Sequence, residues 1–403
     1  MSSRFRYFVA VSPGLESLLR DEIRAFGIEG TVTPGGVECA GGLETLWLLV
    51  HRSRLAESVR LRLRPFRASS FAELERGFER LPWHPYLTQH CEFDVSVTTQ
   101  GSRLYHTDAI AERLRGVVSA KWSARAMRTP LALRPTQESA NVSRSLASHL
   151  DTLAHDANNQ KVYVRVTSNL VQVSIDTSGV RLHRRGYRTH VGEAPLRETL
   201  AAAAIQLLLA LTPNASVTRL WDPCCGSGTL LGEWLLRQSS TSPELPRTFA
   251  FEHWPIHDAQ GYAAWLAQAP KLIATLPSCS AYGSDIDAKV IEAARHNLDL
   301  ARVGQECALF AQDFRQSVQR VPQNTAVVAN LPYGVRLQDR ASAAQVFAEL
   351  DRVLQRRPDL RPALVLTTLA PSGRFSARWR QIAEFANAGL RVKAFALNDA
   401  QLG

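Results

Sequence analysis

Trp221-Asp222-Pro223-Cys224-Cys225-Gly226-Ser227-Gly228-Thr229 lies between an apolar run, Val217 to Trp221, and a helical pattern, Leu230 to Arg237. The spacing predicts a strand, a glycine turn and a helix. Glycines let a chain turn sharply and approach a bound ligand, and a helix N-terminus behind the turn favours a carboxylate or phosphate. A bare G-x-G is a weak signal, and the third spaced glycine of a dinucleotide fingerprint is missing. The adjacent cysteines read as packing rather than chemistry.

Downstream the pattern alternates between helix and strand: Ala281 to Ser284, Lys289 to Leu300, Ala308 to Phe310, Ala326 to Ala329, Ala343 to Leu354, Ala363 to Thr368 and Arg391 to Leu397, with a helix at Thr199 to Leu211 leading in. Repeated β-α units predict an α/β domain built on a mostly parallel sheet. Ligands of such sheets sit beyond the carboxyl ends of the strands, and three further motifs fall there. In Gly283-Ser284-Asp285-Ile286-Asp287, Asp285 is placed to accept ribose hydroxyls and Asp287 to cap the next helix. Asp313, past the next strand, is placed to meet an adenine amino group, although alone it is only a loop aspartate.

Asn330-Leu331-Pro332-Tyr333-Gly334 follows the strand at Ala326. An exocyclic amine on a base is a poor nucleophile because its lone pair is delocalised into the ring, so an enzyme must orient it. The Asn330 side-chain oxygen and the Leu331 carbonyl can accept its two N–H bonds and aim the lone pair at an electrophilic methyl. Tyr333 can stack on a base taken out of its helical stack. A simple turn with Pro332 at its second position is the plainer reading.

Upstream, Tyr7 to Val11 alternates as a strand, Leu15 to Ile23 follows as a helix, Leu43 to Leu55 is a second helix, and Ser58 to Arg64 alternates apolar residues with arginine as a half-buried strand with a basic outer face. That makes an α+β module over residues 1–67. A second runs over 68–180, with a helix at Phe71 to Phe78, a strand at Phe93 to Thr98, a helix at Ala109 to Ala120 and paired strands at Val162 to Val166 and Leu170 to Ile175. Residues 181–403 form the α/β domain.

The 403 residues carry 47 Lys and Arg against 37 Asp and Glu, a net charge of +10 that favours a polyanionic partner. The excess is spread over both halves, so it belongs to folded surfaces rather than a tail. Arg62 and Arg64, within the run Arg52 to Arg67, and Arg184, Arg185 and Arg188 in the 181–188 segment are the candidate contacts, or else solvated faces. The six cysteines show no zinc spacing, which predicts reduced thiols and no metal. No stretch has the length of a signal peptide's apolar region or of a membrane span, so a cytoplasmic protein without membrane contact is expected.

Taken in order, the glycine turn, ribose acid, adenine-facing aspartate and amine-orienting tetrapeptide resemble the S-adenosylmethionine-dependent amino-methyltransferases of nucleic acids. The resemblance extends along the chain. YFVAVSPGLESLLRDEIRAFG (7–27), GGLETLWLLVHRSRLAESVRLRL (41–63) and LPWHPYL (81–87) are similar to the ferredoxin-like and THUMP region of bacterial ribosomal RNA guanine-N2 methyltransferases. RLHRRGYR (181–188), APLRETLAAA (194–203), DPCCGSGTLL (222–231), FEHW (251–254), GSDID and NLPYG are similar to that family's catalytic half.

The resemblance implies a class I, Rossmann-like methyltransferase domain preceded by α+β ferredoxin-like and THUMP domains. It implies S-adenosylmethionine as cofactor, held by Asp222, Pro223, Cys225, Gly226, Ser227, Gly228, Thr229, Asp285 and Asp313. Asn330, Leu331, Pro332 and Tyr333 are implied as the catalytic set. The product is N2-methylguanosine, with 23S ribosomal RNA as the expected substrate. A transfer-RNA guanine-N2 enzyme, an adenine-N6 methyltransferase and a non-catalytic RNA-binding protein of the same fold are the alternatives. Leu331 stands where the family has the first of two prolines, which puts loop rigidity and base choice in question. A nicotinamide dehydrogenase is disfavoured, because no catalytic His or Tyr-x-x-x-Lys follows the glycine turn.

Overall fold

Period-two alternation builds the first half of the chain, since strands that are apolar on one face only must set that face against helices. In the computed structural model, which describes residues 4–88, 93–126, 160–190, 196–213, 217–239, 247–268, 279–333, 337–369 and 375–398, eight strands form one sheet. They are β1 (Phe5–Ala10), β2 (Gly30–Thr33), β3 (Gly36–Gly41), β4 (Ser58–Arg62), β5 (Phe66–Arg67), β6 (Phe93–Gln100), β7 (Gln160–Thr167) and β8 (Leu170–Asp176). The order is β2-β3-β1-β4-β8-β7-β6, with β5 beside β8. Helices α1 (Glu16–Ala25), α2 (Leu43–Arg52), α3 (Phe71–Glu79) and α4 (Thr107–Ala126) connect the strands. Leu19, Leu46, Leu74 and Ile110 of these helices share a core with Val9, Leu61 and Val164 of the sheet. The opposite face, with Phe8, Arg60, Arg62, Tyr163 and Arg165, carries an open groove.

The boundary expected at residue 67 does not separate two sheets. β4 pairs antiparallel with β8, Leu61 opposite Ile175, so the two N-terminal modules share one continuous sheet. Among the described residues, only β6 and β7 run parallel within it.

Helix α5 (Glu198–Ala210) leads into a second sheet of β9 (Leu220–Asp222), β10 (Ala281–Asp285), β11 (Cys307–Ala311), β12 (Ala326–Asn330), β13 (Ala363–Thr367), β14 (Trp379–Asn387) and β15 (Leu390–Leu397). Its order is β11-β10-β9-β12-β13-β15-β14. The first five strands are parallel, as the sequence predicts, whereas β14 and β15 close the edge as an antiparallel pair. Helices α6 (Thr229–Gln238), α7 (Ala259–Gln268), α8 (Ala288–Leu300), α9 (Phe314–Ser317), α10 (Leu337–Arg356) and α11 (Phe375–Arg378) lie between the strands. Successive strand residues enter different cores: Leu220, Val328 and Leu364 join the one that also fills the N-terminal half, while Trp221, Val327 and Val365 join Leu350 and Leu354 of α10. Both faces are therefore covered, and strands of such a sheet read as near-continuous apolar runs.

Polar ties cross between the halves. Arg54 donates to the Leu236 carbonyl at 2.8 Å, Arg185 donates to the Arg54 carbonyl at 2.6 Å, and Arg197 meets Glu57 at 2.9 Å. No helix among the described residues is long and apolar enough to cross a membrane.

Candidate active site

The turn between β9 and α6 is built from its glycines. Gly226 and Gly228 hold φ of +50° and +82°, the left-handed region that other residues adopt at a cost. A Cβ at Gly228 would stand 3.2 Å from the Ala294 Cβ of α8, a tight contact that adds to the conformational preference for glycine. Asp222, 1% exposed at the end of β9, accepts the Cys224 N–H at 3.1 Å. Burial pushes its carboxyl up to about 8, the Cys224 N–H opposes the shift, and Asp285 adds to it.

Asp285 joins this turn to the next strand. One carboxylate oxygen accepts the Gly226 N–H and the other the Asp287 N–H, each at 3.1 Å. Asp287 caps α8 by accepting the Lys289 N–H at 2.9 Å, as its position in the sequence predicts. Asn297 of α8 holds the turn from below. Its side-chain oxygen accepts the Thr189 and His190 N–H groups at 3.2 Å, and its Nδ2 donates to the His190 carbonyl at 2.8 Å and the Ser227 carbonyl at 3.0 Å.

A cavity of about 350 Å3 opens beyond the carboxyl ends of these strands. It sits where the order reverses, with β10 and β11 on one side of β9 and β12 on the other, the position at which open α/β sheets bind ligands. Pro223, Cys224, Asp285, Asp313, Arg315 and Pro332 are among its walls. Ile286 also lines it and, 78% exposed, presents an apolar face to it. Asp313 is less free than the sequence suggests. It caps α9 by accepting the Arg315 N–H at 2.8 Å, and the Arg315 side chain donates to both of its oxygens, which holds the carboxyl below its usual range.

Of the residues expected around a cofactor, Pro223, Asp285 and Asp313 line this cavity. Asp222, Cys225, Gly226, Ser227, Gly228 and Thr229 shape the turn behind it. Cys225, which the sequence places both in packing and among the cofactor residues, is buried in the core, its Sγ 3.1 Å from where a Cβ on Gly283 would stand. Cys224 does line the cavity, with its thiol pushed up by burial and by the neighbouring carboxylates.

At the end of β12 the tetrapeptide is closed on itself. The Tyr333 hydroxyl donates to Asn330 Oδ1 at 2.8 Å, and Asn387 Nδ2 donates to that hydroxyl at 3.3 Å. Tyr333 is 6% exposed and sits in the core, so the open stacking surface expected of it is not the arrangement found. Asn387 Oδ1 is buried with no hydrogen-bond partner among the described residues, and turning the amide over would present it to the hydroxyl as an acceptor. Leu331 is buried, and its N–H donates to the Leu366 carbonyl at 3.0 Å, a bond that proline cannot make. Rigidity expected from a first proline is supplied here by a strand-to-strand hydrogen bond. Gly334 lies outside the described residues.

The arginines divide. Arg185 is 1% exposed and faces Glu233 at 3.5 Å, and the Arg188 side chain, 6% exposed, meets Glu198 at 3.4 Å. Both side chains are turned inward onto buried carboxylates, Glu233 of α6 and Glu198 of α5, which corrects the expectation of RNA contact at both. Arg62 is committed to Glu38 at 3.0 Å and lies over the Phe8 ring. Arg64 and Arg184 are exposed. The sequence reading missed Ile286, Arg315, Asn297 and Asn387. Ile286, between two motif aspartates, was the one with a local signal.

Comparison with known proteins places these features. The family described as "RMKL-like, methyltransferase domain" matches residues 185–377, and the one described as "RlmL ferredoxin-like domain" matches residues 6–60. A curated relative from Pseudomonas syringae, "Ribosomal RNA large subunit methyltransferase K/L", is 29% identical over 375 residues, covering 88% of this chain and 46% of its own length. The chain thus spans about half the length of the curated relatives it matches. Among solved structures, "a possible methylase" from Clostridium difficile 630 superposes with TM-score 0.81 at 26% identity, over 98% of both chains. A "predicted N6-adenine-specific DNA methylase" from Listeria monocytogenes gives TM-score 0.78 at 26% identity, over 98% of this chain and 96% of that one. An α/β fold with a ligand cavity at the switch point therefore comes with sequence matches of the same kind: residues 185–377 match the model described as an RMKL-like methyltransferase domain, and residues 6–60 match that of an RlmL ferredoxin-like domain.

Proposed function

We propose that the chain transfers a methyl group from S-adenosylmethionine to N2 of a guanine in RNA, with 23S ribosomal RNA as the substrate, and that residues 68–180 serve as a THUMP-type RNA-binding unit. One observation carries the reading. Pro332 lines the same cavity as Asp285 and Asp313, which brings Asn330 and Leu331 beside the wall that suits a cofactor. The substrate class rests on the relatives named as large-subunit ribosomal RNA methyltransferases.

The residues present fit that cofactor. Asp285 offers a carboxylate for ribose hydroxyls, and the exposed Ile286 offers an apolar face for a purine ring. Nothing lies within 4 Å of where a Cβ would stand on Gly226, so the turn leaves room for a ligand's backbone-sized portion. When bound, S-adenosylmethionine supplies an electrophilic methyl on a sulfonium.

The chain's own part is orientation. The Asn330 oxygen and the Leu331 carbonyl accept the two N–H bonds of the target amine and turn its lone pair towards the cavity. These N–H groups become more acidic as the nitrogen gains positive charge, so both acceptors bind the transition state more tightly than the ground state. The Tyr333 hydroxyl competes with that amine for Asn330 Oδ1, and Asn387, with its amide turned over, can accept the hydroxyl instead.

A second reading, N6 of adenine, has one observation in its favour, the name carried by the Listeria structure. The same acceptor pair would orient that amine. The test is nucleoside mass spectrometry of unmethylated 23S ribosomal RNA, transfer RNA and DNA after incubation with the protein and labelled S-adenosylmethionine. Labelled N2-methylguanosine in ribosomal RNA is expected. Labelled N6-methyladenosine would establish the second reading, and no label in any nucleic acid would overturn both.

A further inference from the structure

The face of the first sheet that carries no helix among the described residues holds a groove of about 530 Å3 that methyl transfer does not use, within the range of roughly 300–1,000 Å3 usual for ligand clefts. It is a composite of both N-terminal modules. Phe8 comes from β1, Arg60 and Arg62 from β4, Ser96 from β6, and Tyr163 and Arg165 from β7. Strand register sets Phe8 opposite Arg60, Tyr163 opposite Ser96, and Arg165 opposite Thr98.

Within it, flat groups are layered. The Arg60 guanidinium lies 3.8 Å from the centre of the Tyr163 ring and 5.8 Å from that of Phe8, and the Arg62 guanidinium lies 4.5 Å from the Phe8 ring. The charge is one-sided. Glu57 is the one carboxylate among the lining residues, and Arg181 and Arg197 already engage it. Arg62 is held by Glu38. Among the described residues Arg60 and Arg165 form no ion pair, and Arg60 spends one N–H on Ser58 Oγ. Asp176, across the β4–β8 pair from Arg60, is buried.

We infer that this groove takes a single-stranded stretch of RNA, its bases stacked on the ring and guanidinium planes and its phosphates held by Arg60 and Arg165. The inference rests on the reading of RNA as substrate and deepens it by naming the surface. Charge alone would suit any polyanion. The layered planes select unpaired bases, because a duplex keeps its base faces covered, whereas single strands splay theirs onto aromatic and guanidinium surfaces.

The test is fluorescence anisotropy on the full chain with a fluorescein-labelled oligouridylate and a hairpin of matched length, over a salt series. The double variant Arg60→Glu with Arg165→Glu should bind the oligouridylate at least tenfold more weakly, and the slope of log affinity against log salt should fall by about 0.7 per arginine removed. Tyr163→Ala should weaken binding by about tenfold at one salt concentration, from loss of a stacking plane. Arg24→Glu, on α1 and away from the groove, should bind like wild type. Calorimetric binding of S-adenosylhomocysteine should be unchanged throughout, which reports that the variants are folded. Where the double variant unfolds, Arg165→Gln, at an exposed strand position, should still lower the slope by about 0.7.

Wild-type affinity in the folded charge variants would overturn the inference while leaving RNA as the substrate. A preference for the hairpin that the variants abolish would overturn the single-stranded reading. Failure of the wild-type chain to bind either probe, together with failure to methylate RNA, would overturn both the inference and the reading beneath it.

Discussion

The two walls of the cavity come from one sheet but are left in different states. On the β10 side, Asp285 spends each oxygen on a backbone N–H and keeps lone pairs to spare, so the wall is rigid and still able to accept. On the β12 side, Asn330 Oδ1 already accepts the Tyr333 hydroxyl, a side-chain partner that competes with an entering amine for its lone pairs. The first wall is assembled in advance, and the second is opened by what binds. A cofactor should therefore meet a prebuilt surface, while the base meets one that rearranges.

That contrast fails first at Asn330, where the largest effect is expected. Asn330→Ala should lower kcat by about a hundredfold or more, the scale of losing one transition-state acceptor. Cofactor affinity should stay at the wild-type value, since Asn330 belongs to the opening wall alone. Single-turnover rates equal to wild type would mean that other groups orient the amine. Asp285→Ala should do the reverse. Loss of a charge-assisted contact of about 1.5–3 kcal/mol should weaken cofactor binding by roughly tenfold or more, and release of the Gly226 N–H should loosen the turn as well. Unchanged affinity by calorimetry would remove Asp285 from the cofactor wall.

Leu331→Pro tests what keeps the opening wall in place. It deletes the N–H donated to Leu366 and leaves that carbonyl without its partner, a loss of about 1–2 kcal/mol in urea unfolding. Stability equal to wild type would show that the loop needs no such tie.

Asp222 sharpens the prebuilt side through pH. Its carboxyl is pushed up to about 8 by burial, against an ordinary value of 3.8. Between those values the folded chain keeps a proton that the unfolded chain releases, so this group's contribution to stability is greatest below about pH 4 and is lost as pH rises towards 8. Asp222→Asn removes the titration and can keep an acceptor for the Cys224 N–H. The melting temperature of the variant should therefore gain on wild type steadily from pH 5 to pH 8. Parallel melting curves across that range would show that Asp222 does not titrate as its burial requires.

How far this was legible in the sequence follows from the range of each interaction. The glycine turn, the Asp287 cap and the alternating strands were readable because their causes lie within a few residues. The continuous first sheet was not, because β4 meets β8 more than a hundred residues later. Arg185 and Arg188 looked like surface charge, since a basic run carries no sign that Glu233 and Glu198 wait to bury it. Asn297 and Asn387 act only through tertiary contact, and nothing in their neighbours marks them out. β14 went unread because its exposed edge supplies only a partial apolar pattern.

The smallest effect separates the two states of the second wall most directly. Tyr333→Phe keeps the ring in its core position and removes only the hydroxyl, so Asn330 Oδ1 is released from its resting partner. If the hydroxyl only masks the acceptor, the variant should turn over at close to the wild-type rate with RNA KM lowered by a few fold, because the base no longer competes for Asn330. If the hydroxyl also braces Asn330 through Asn387, its loss leaves the amide less well aimed, and kcat should fall with KM unchanged. Asn387→Ala decides between these by removing the alternative acceptor while leaving the Tyr333 contact to Asn330. A lower kcat in Asn387→Ala with normal kcat in Tyr333→Phe would mean that opening requires somewhere for the hydroxyl to go. Identical kinetics in both variants and wild type would show that the wall is open before the base arrives, and the contrast with the cofactor side would be lost.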